Sequence, residues 1–246
     1  MATTSQRQQS TAPAVAGGDA QQVATSIAAF LAQKNVQPTP AWMQGFMSTV
    51  RLNTPLVALQ KTALFRLLAT DLTTSVTKAA TSCFPSNMTD PQIREKVVRG
   101  PLTVQILDVE DIGRSCWSQV EAIEAQERGE TTKGREVVRV IPDENNPDAS
   151  TQTTHQSSGP HKLLLQDANG VKAYAMELAT VNGITVGMAI GSKLIIRDCT
   201  VARGLMLLEP RNTEVLGGKV DTWDKEWKEN RKTVLKQKAG VREGSG

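Results

Sequence analysis

The sequence predicts an α+β chain in which a small three-helix bundle precedes a small β-barrel and one more helix follows. Three observations carry this. Between residues 22 and 80, apolar side chains recur at helical spacing and are interrupted by prolines. From 101 to 220 the pattern turns to short β-rich runs, two of them joined through Asn169-Gly170, a strong hairpin signal. Charge divides along similar lines, the net +3 concealing +5 over residues 1–100, −6 over 101–160 and +4 over 161–246.

The first 21 residues, rich in Ser, Thr, Gln, Ala and Gly, read as a disordered tail without the apolar centre of a signal peptide. The helical bundle spans 22–98. Val23, Ile27, Phe30 and Leu31 form its first stripe, and Trp42, Phe46 and Val50 its second, after Pro38 and Pro40. The third follows Pro55, with Leu56, Leu59, Leu64, Leu67 and Leu68 on one side. Trp42 and Phe46 are expected to pack in the core.

The barrel spans 99–220. Its strands are LTVQILDV, the two runs around Asn169-Gly170, and KLIIRDCTVARGLMLLEP as a pair turning near Arg203-Gly204. Five short antiparallel strands suit a closed or nearly closed barrel such as an OB-fold better than a sandwich. No amphipathic helix of crossover length separates them, which argues against parallel βαβ units. Residues 221–246 give a helix with Asp221 as N-cap and Trp223, Trp227, Val234 and Leu235 roughly along one face, then a frayed end.

Between the first two barrel strands lies an insertion of about 110–159, far longer than the roughly 4–6 residues usual for such connections. It coincides with the acidic zone, which argues against a direct grip on phosphates. Within it, SCWSQVEAIEAQE sets Trp117, Val120 and Ile123 at spacings of three, lining one side of a short helix. REVVRVIP is β-prone, and NNPDASTQTTHQSSGP is polar and turn-rich. A tryptophan with two aliphatic neighbours amid charge reads as an interaction element, since large aromatics anchor protein interfaces.

Chemistry is sparse. No phosphate-binding loop, dinucleotide fingerprint or nucleophile elbow occurs. His155 and His161 stand six apart with no cysteine beside them, so no metal site is expected. Asp108, Glu110 and Asp111 cluster at a strand end, where such groups are usually solvated. The residues point to no enzyme, no cofactor and no small-molecule substrate. Cys83, Cys116 and Cys199, scattered and odd in number, fit reduced thiols of the cytosol or nucleus. No apolar run is long enough to span a membrane. A barrel of this kind raises an alternative, an autonomous single-stranded-DNA-binding protein. Tyr174 is the only aromatic in the strand segments, and a stacking platform cannot be built from one ring. Lys162, Lys172, Lys193, Arg197 and Arg203 could still give weak phosphate affinity.

Over roughly residues 40–235 the chain resembles the RecQ-mediated genome instability protein 1 family in its fungal form. The stretches that carry the resemblance are LLATDL (67–72), VQILDVEDIGRSCWSQVEAI (104–123), HKLLLQDANGVKAYAMEL (161–178) and GLMLLEPRNTEVLGGKVD (204–221). The resemblance implies a non-catalytic nuclear subunit of the RecQ helicase–topoisomerase III complex, with DNA contacts weak or indirect. It implies an OB-fold that docks on the type IA topoisomerase. It also implies that the insertion reaches into the enzyme's hole and tunes its DNA gate toward decatenation and double Holliday junction dissolution. Carried onto this chain, the partner-binding positions of the insertion are Asp111, Ile112, Gly113, Cys116, Trp117, Gln119 and Val120, with Ile123 completing the apolar side. The barrel's own contribution falls on Leu207, Leu208, Pro210 and Asn212. Animal members favour a basic residue where Glu209 stands. The connection ATVNGITVGMAIG is too short for a full barrel helix.

Overall fold

The computed structural model describes residues 16–51, 54–133, 136–139 and 159–240. The tail over 1–15, the polar run of the insertion and the closing VREGSG lie outside these residues. Four helices open the fold: α1 (Ala16–Gln33), α2 (Pro40–Thr49), α3 (Leu56–Leu68) and the single turn α4 (Leu72–Ser75). Helix α1 starts at Ala16 rather than near 22, because residues joined to a packed helix can extend it without a new nucleus. Pro40 sits at the first position of α2, where its missing N–H costs nothing, and the Thr39 side chain accepts from Trp42 N at 3.2 Å. Ile27, Leu31, Phe46, Leu59 and Leu67 are buried together, and Trp42 stacks on Phe46 at 5.4 Å. Leu56, expected on the buried side, is 40% exposed.

The barrel strands are β1 (Lys96–Val98), β2 (Leu102–Asp111), β5 (His161–Gln166), β6 (Lys172–Glu177), β7 (Lys193–Ile196), β8 (Cys199–Ala202), β9 (Leu205–Leu208) and β10 (Thr213–Gly217). The insertion contributes α5 (Cys116–Glu127) and a separate hairpin of β3 (Glu130–Lys133) with β4 (Glu136–Arg139), where a β-prone run was expected. Helix α6 (Asp221–Lys238) ends the described chain.

The main sheet runs β1-β8-β9-β6-β5-β2-β7-β10. Strands β7 and β8 are halves of one segment, bent where Asp198 takes φ 47°, yet they lie toward opposite ends of that order. The sheet therefore curls back on itself into the expected OB-fold. Long β2 serves both sides, pairing β7 through Leu102–Gln105 and β5 through Gln105–Asp111, with a bulge after Ile106 that bends it. One pairing departs from the antiparallel expectation: β6 and β9 run parallel. They are separated by the single reversed segment β7–β8, so they must point the same way. Edge strands β1 and β10 were not anticipated, being short and without alternation. The Arg203-Gly204 turn has φ 48° and 81°, the double positive φ of a tight hairpin.

Barrel and bundle are fastened by buried polar groups. Lys193, 1% exposed, donates to Leu68 O at 3.0 Å, Thr70 O at 2.6 Å and Gly191 O at 2.7 Å. Leu68 ends α3, so its carbonyl has no intrahelical partner, and a cation there also suits the helix dipole. Burial pushes the Lys193 ammonium down to about 8, with Asp71 pulling the other way. Gln105 accepts from Leu72 N at 2.8 Å and donates to Asp71 Oδ1 at 2.7 Å and Gln166 Oε1 at 2.9 Å.

Helix α6 packs Trp223 and Trp227 against the barrel core. Asp221 is its first residue rather than its N-cap, a position taken by Val220, and the Asp221 carboxylate pairs with Lys219 at 2.6 Å. Leu235 is buried but Val234 is 41% exposed, since adjacent helical residues point about 100° apart.

Candidate functional site

The insertion leaves the barrel through a neck. Ile112 N donates to Pro160 O at 3.1 Å, holding its two ends together. Just beyond, Gly113 and Gly159 meet backbone to backbone: a Cβ on Gly159 would lie 2.3 Å from Gly113 Cα, and one on Gly113 2.4 Å from Gly159 Cα. Only glycine fits on either side of so close an approach. The Asp111 carboxylate completes the neck, accepting from Gly113 N at 2.9 Å.

Helix α5 rises from this neck, capped by Ser115, whose Oγ accepts from Ser118 N at 3.1 Å. It lies on α6. Gln119 bridges inward, donating to Asp111 O at 2.9 Å and accepting from Arg231 Nη2 at 3.0 Å. Arg231 also donates to Val109 O and sits 4.4 Å over the Trp227 ring, while burial lowers its pKa against the pull of Asp108, Asp111 and Glu110. On the outer side, Lys232 pairs with Glu124 and Glu127, and Lys236 with Glu124 at 3.0 Å. Chiefly through its hydrogen bond to Lys236, Glu124 is held below the usual carboxylate range. Thus the acidic charge of this part of the insertion is met largely by the basic face of α6. A groove of about 530 Å³ runs between β2, the start of α5 and α6, lined by Val109, Ile112, Cys116, Trp227, Val234 and Lys238 among others.

The expected site residues divide by exposure. Ile112 (44% exposed) and Trp117 (50%) face outward, the indole donating to Glu121 Oε1 at 2.9 Å. Cys116 and Ile123 are half-buried. Asp111, Gln119 and Val120 are buried, Val120 completely. Val120, wholly buried in the chain by itself, fixes α5 to its own protein. The barrel positions divide in the same way. Leu208 belongs to the core, and Asn212 closes the β9–β10 turn, donating to Leu207 O at 3.1 Å and accepting from Glu209 N at 2.9 Å. Pro210 is exposed and Leu207 half-buried. Glu209 is ion-paired with Arg211.

Other expectations resolve similarly. The carboxylates of the strand-end cluster are engaged rather than simply solvated: Asp108 accepts from Trp227 Nε1 at 2.6 Å and Glu110 pairs with Lys238. His161 is buried against Glu177, with 2.5 Å between Nδ1 and Oε2, while His155 lies outside the described residues. Among candidate phosphate contacts, Lys193 is buried and Arg197 pairs with Glu214 at 2.9 Å. Among the described residues no group of three or more His, Cys, Asp or Glu could hold a metal ion, and no helix is long and apolar enough to cross a membrane. Sequence reasoning missed Gly159 and Arg231. The Gly-Pro pair just before β5 is a visible signal for the first; nothing local marks the second, whose partners lie on β2 and α5.

Two family models match, described as the RMI1 N-terminal helical domain over residues 30–75 and the RMI1 N-terminal OB-fold domain over residues 84–231. A Schizosaccharomyces pombe relative named RecQ-mediated genome instability protein 1 is 28% identical over 223 residues, covering 82% of this chain and 91% of its own length. Proteins of the same name from Xenopus laevis (27% identical) and Mus musculus (30%) match 65% and 50% of this chain, but these matches span only 27% and 19% of their own lengths. With both matched domains in the order and architecture described above, the chain belongs to the RMI1 family.

Proposed function

We propose that this chain acts with a RecQ-family helicase in maintaining genome stability, as a non-catalytic nuclear subunit that binds a type IA topoisomerase, topoisomerase III. In this reading its insertion, about Glu110 to Gly159, modulates the enzyme's DNA gate to promote decatenation and dissolution of double Holliday junctions. The observation that carries the reading is the rooted insertion. A pinched glycine neck and a helix fastened to α6 present Ile112 and Trp117 outward at fixed positions. Exposed apolar side chains on a rigid base lose little entropy on docking, and an indole is a preferred anchor. A loop that binds one gate state better than the other shifts the gate by that difference in affinity alone.

The test is a pull-down and decatenation assay with the cognate topoisomerase III. Trp117→Ala is expected to weaken binding ~10-fold or more, the range of a buried aromatic anchor, with melting unchanged. Deleting residues 111–158 is expected to abolish stimulation of decatenation. If the deletion variant binds and stimulates like the intact chain, the insertion is not the working part.

A further inference from the structure

Helix α3 carries two apolar stripes. Leu59, Ala63 and Leu67 are buried in the bundle, where α3 packs chiefly on α1. At about 100° per residue, Val57, Leu64, Phe65 and Leu68 fall within about 100° of one another on a different side, the width of a core-facing surface. Leu64 and Leu68 are half-buried, and Val57 is 62% exposed. Phe65, at 74%, is the most exposed large apolar side chain among the described residues. Lys61, also exposed, stands in the middle of this second stripe, one turn from Val57 and one from Phe65. Nothing within residues 20 to 70 answers its charge: that span has no Asp or Glu, whereas Lys34, Arg51, Lys61 and Arg66 are cationic. Among the described residues none of these four is ion-paired. Arg66 donates to Thr49 Oγ1 at 2.8 Å and lies over the Phe46 ring, contacts that hold the guanidinium without neutralising it.

We infer that this second stripe is the docking face for an acidic amphipathic helix of a partner protein, which packs along α3 as a further helix of the bundle. Val57 and Phe65 lie about 12 Å apart along the helix axis, the spacing of i and i+8. That matches an amphipathic helix whose apolar anchors recur at i, i+4 and i+7. Charge then fixes its chemistry. Covering the stripe takes Lys61 out of water, and a buried ammonium without a partner is costly, so the covering surface has to bring a carboxylate to the middle of the stripe. A second copy of this chain offering the same face has none to bring and would set Lys61 close to its own copy. A nucleic acid would answer the cations but leave the apolar stripe against phosphate and sugar. The unmatched cations of the bundle also steer an acidic partner toward it. This face belongs to the bundle, and the inference does not rest on the topoisomerase reading of the insertion.

The test uses the whole chain and two fluorescein-labelled synthetic peptides of about 18 residues, long enough to cover the 13 residues of α3. Both place leucine at the apolar positions of an amphipathic helix; the polar face carries glutamate in one and lysine in the other. Anisotropy should show saturable binding of the glutamate peptide, weakening as salt rises, and none of the lysine peptide. Phe65→Ala should weaken it ~10-fold or more, as loss of an aromatic anchor does. Lys61→Glu should weaken it about 2–5-fold and flatten its salt dependence. Val97→Ala, at a side chain 48% exposed on barrel strand β1, should change nothing. Phe65 and Lys61 are surface residues, so their variants can be confirmed folded by melting. Four results overturn the proposal: no saturable binding of the glutamate peptide, equal binding of the lysine peptide, equal binding by Phe65→Ala, or displacement of the glutamate peptide by an oligothymidylate whose own binding is lost in Phe65→Ala and Lys61→Glu. The last would make the stripe a nucleic-acid surface instead.

Discussion

Replacing Gly159 by alanine places a methyl group where no space exists. Its carbon would lie 2.3 Å from Gly113 Cα, 2.7 Å from Gly113 N and 3.1 Å from the Asp111 carboxylate. Non-bonded carbons rest at about 3.5–4.0 Å, so the two backbones must part by roughly 1 Å or more. That displacement strains the bond from Ile112 N to Pro160 O, now 3.1 Å, and the one from Gly113 N to Asp111, now 2.9 Å. Overpacking of this kind costs about 1–3 kcal/mol, and weakening either hydrogen bond adds up to ~1 kcal/mol. For a chain of this size each kcal/mol lowers Tm by roughly 2–4 °C. Calorimetry should therefore show a drop of about 2–16 °C for Gly159→Ala, and a similar one for Gly113→Ala. The double variant should lose less than the sum, because the neck opens only once. Under the proposed function, topoisomerase III binding should fall too, since the neck would aim the insertion, although Trp117 itself is untouched. Two single variants that melt like the parent would refute the pinched neck, and with it the rigid presentation of the insertion.

Three further outcomes follow from the packing. Val120→Ala should lower stability by about 1–3 kcal/mol in denaturant titration, because the fully buried side chain leaves a cavity; Trp117→Ala should not. Gln105→Leu should cost about 1–3 kcal/mol by orphaning Leu72 N, and hydrogen exchange at the Leu72 amide should quicken. Lys193→Met orphans three carbonyls and should cost a similar ~1–3 kcal/mol at neutral pH. Its pH dependence has a definite sign. The folded ammonium titrates near 8, below its ordinary 10.5, so above pH 8 the unfolded chain holds the proton longer and the wild type gains stability up to about 10.5. The gap between wild type and Lys193→Met should thus widen over that window in paired denaturant titrations. A constant gap would mean that the ammonium is not desolvated.

Local pattern alone determined much of this protein. Proline punctuation and the stripes at Ile27, Leu31, Phe46 and Leu59 marked the bundle, because a helix face that must be buried repeats every three to four residues. Asn169-Gly170 and Arg203-Gly204 marked turns because few residues accept positive φ. The misplaced indole of Trp117 marked the insertion as more than a linker. What tertiary structure alone decided is which residues of each motif face inward. Val120 and Trp117 share one helix, but the seat on α6 swallows the first and leaves the second exposed. Leu208 and Asn212 share a motif with exposed Pro210, yet barrel alternation and a closing turn take them inside. The roles of Lys193 and Arg231 were invisible for the same reason: their partners lie on elements distant in the chain. Periodicity reports whether an element has an apolar side; only the neighbours assembled around it settle which side chains are spent on the fold and which remain for a partner.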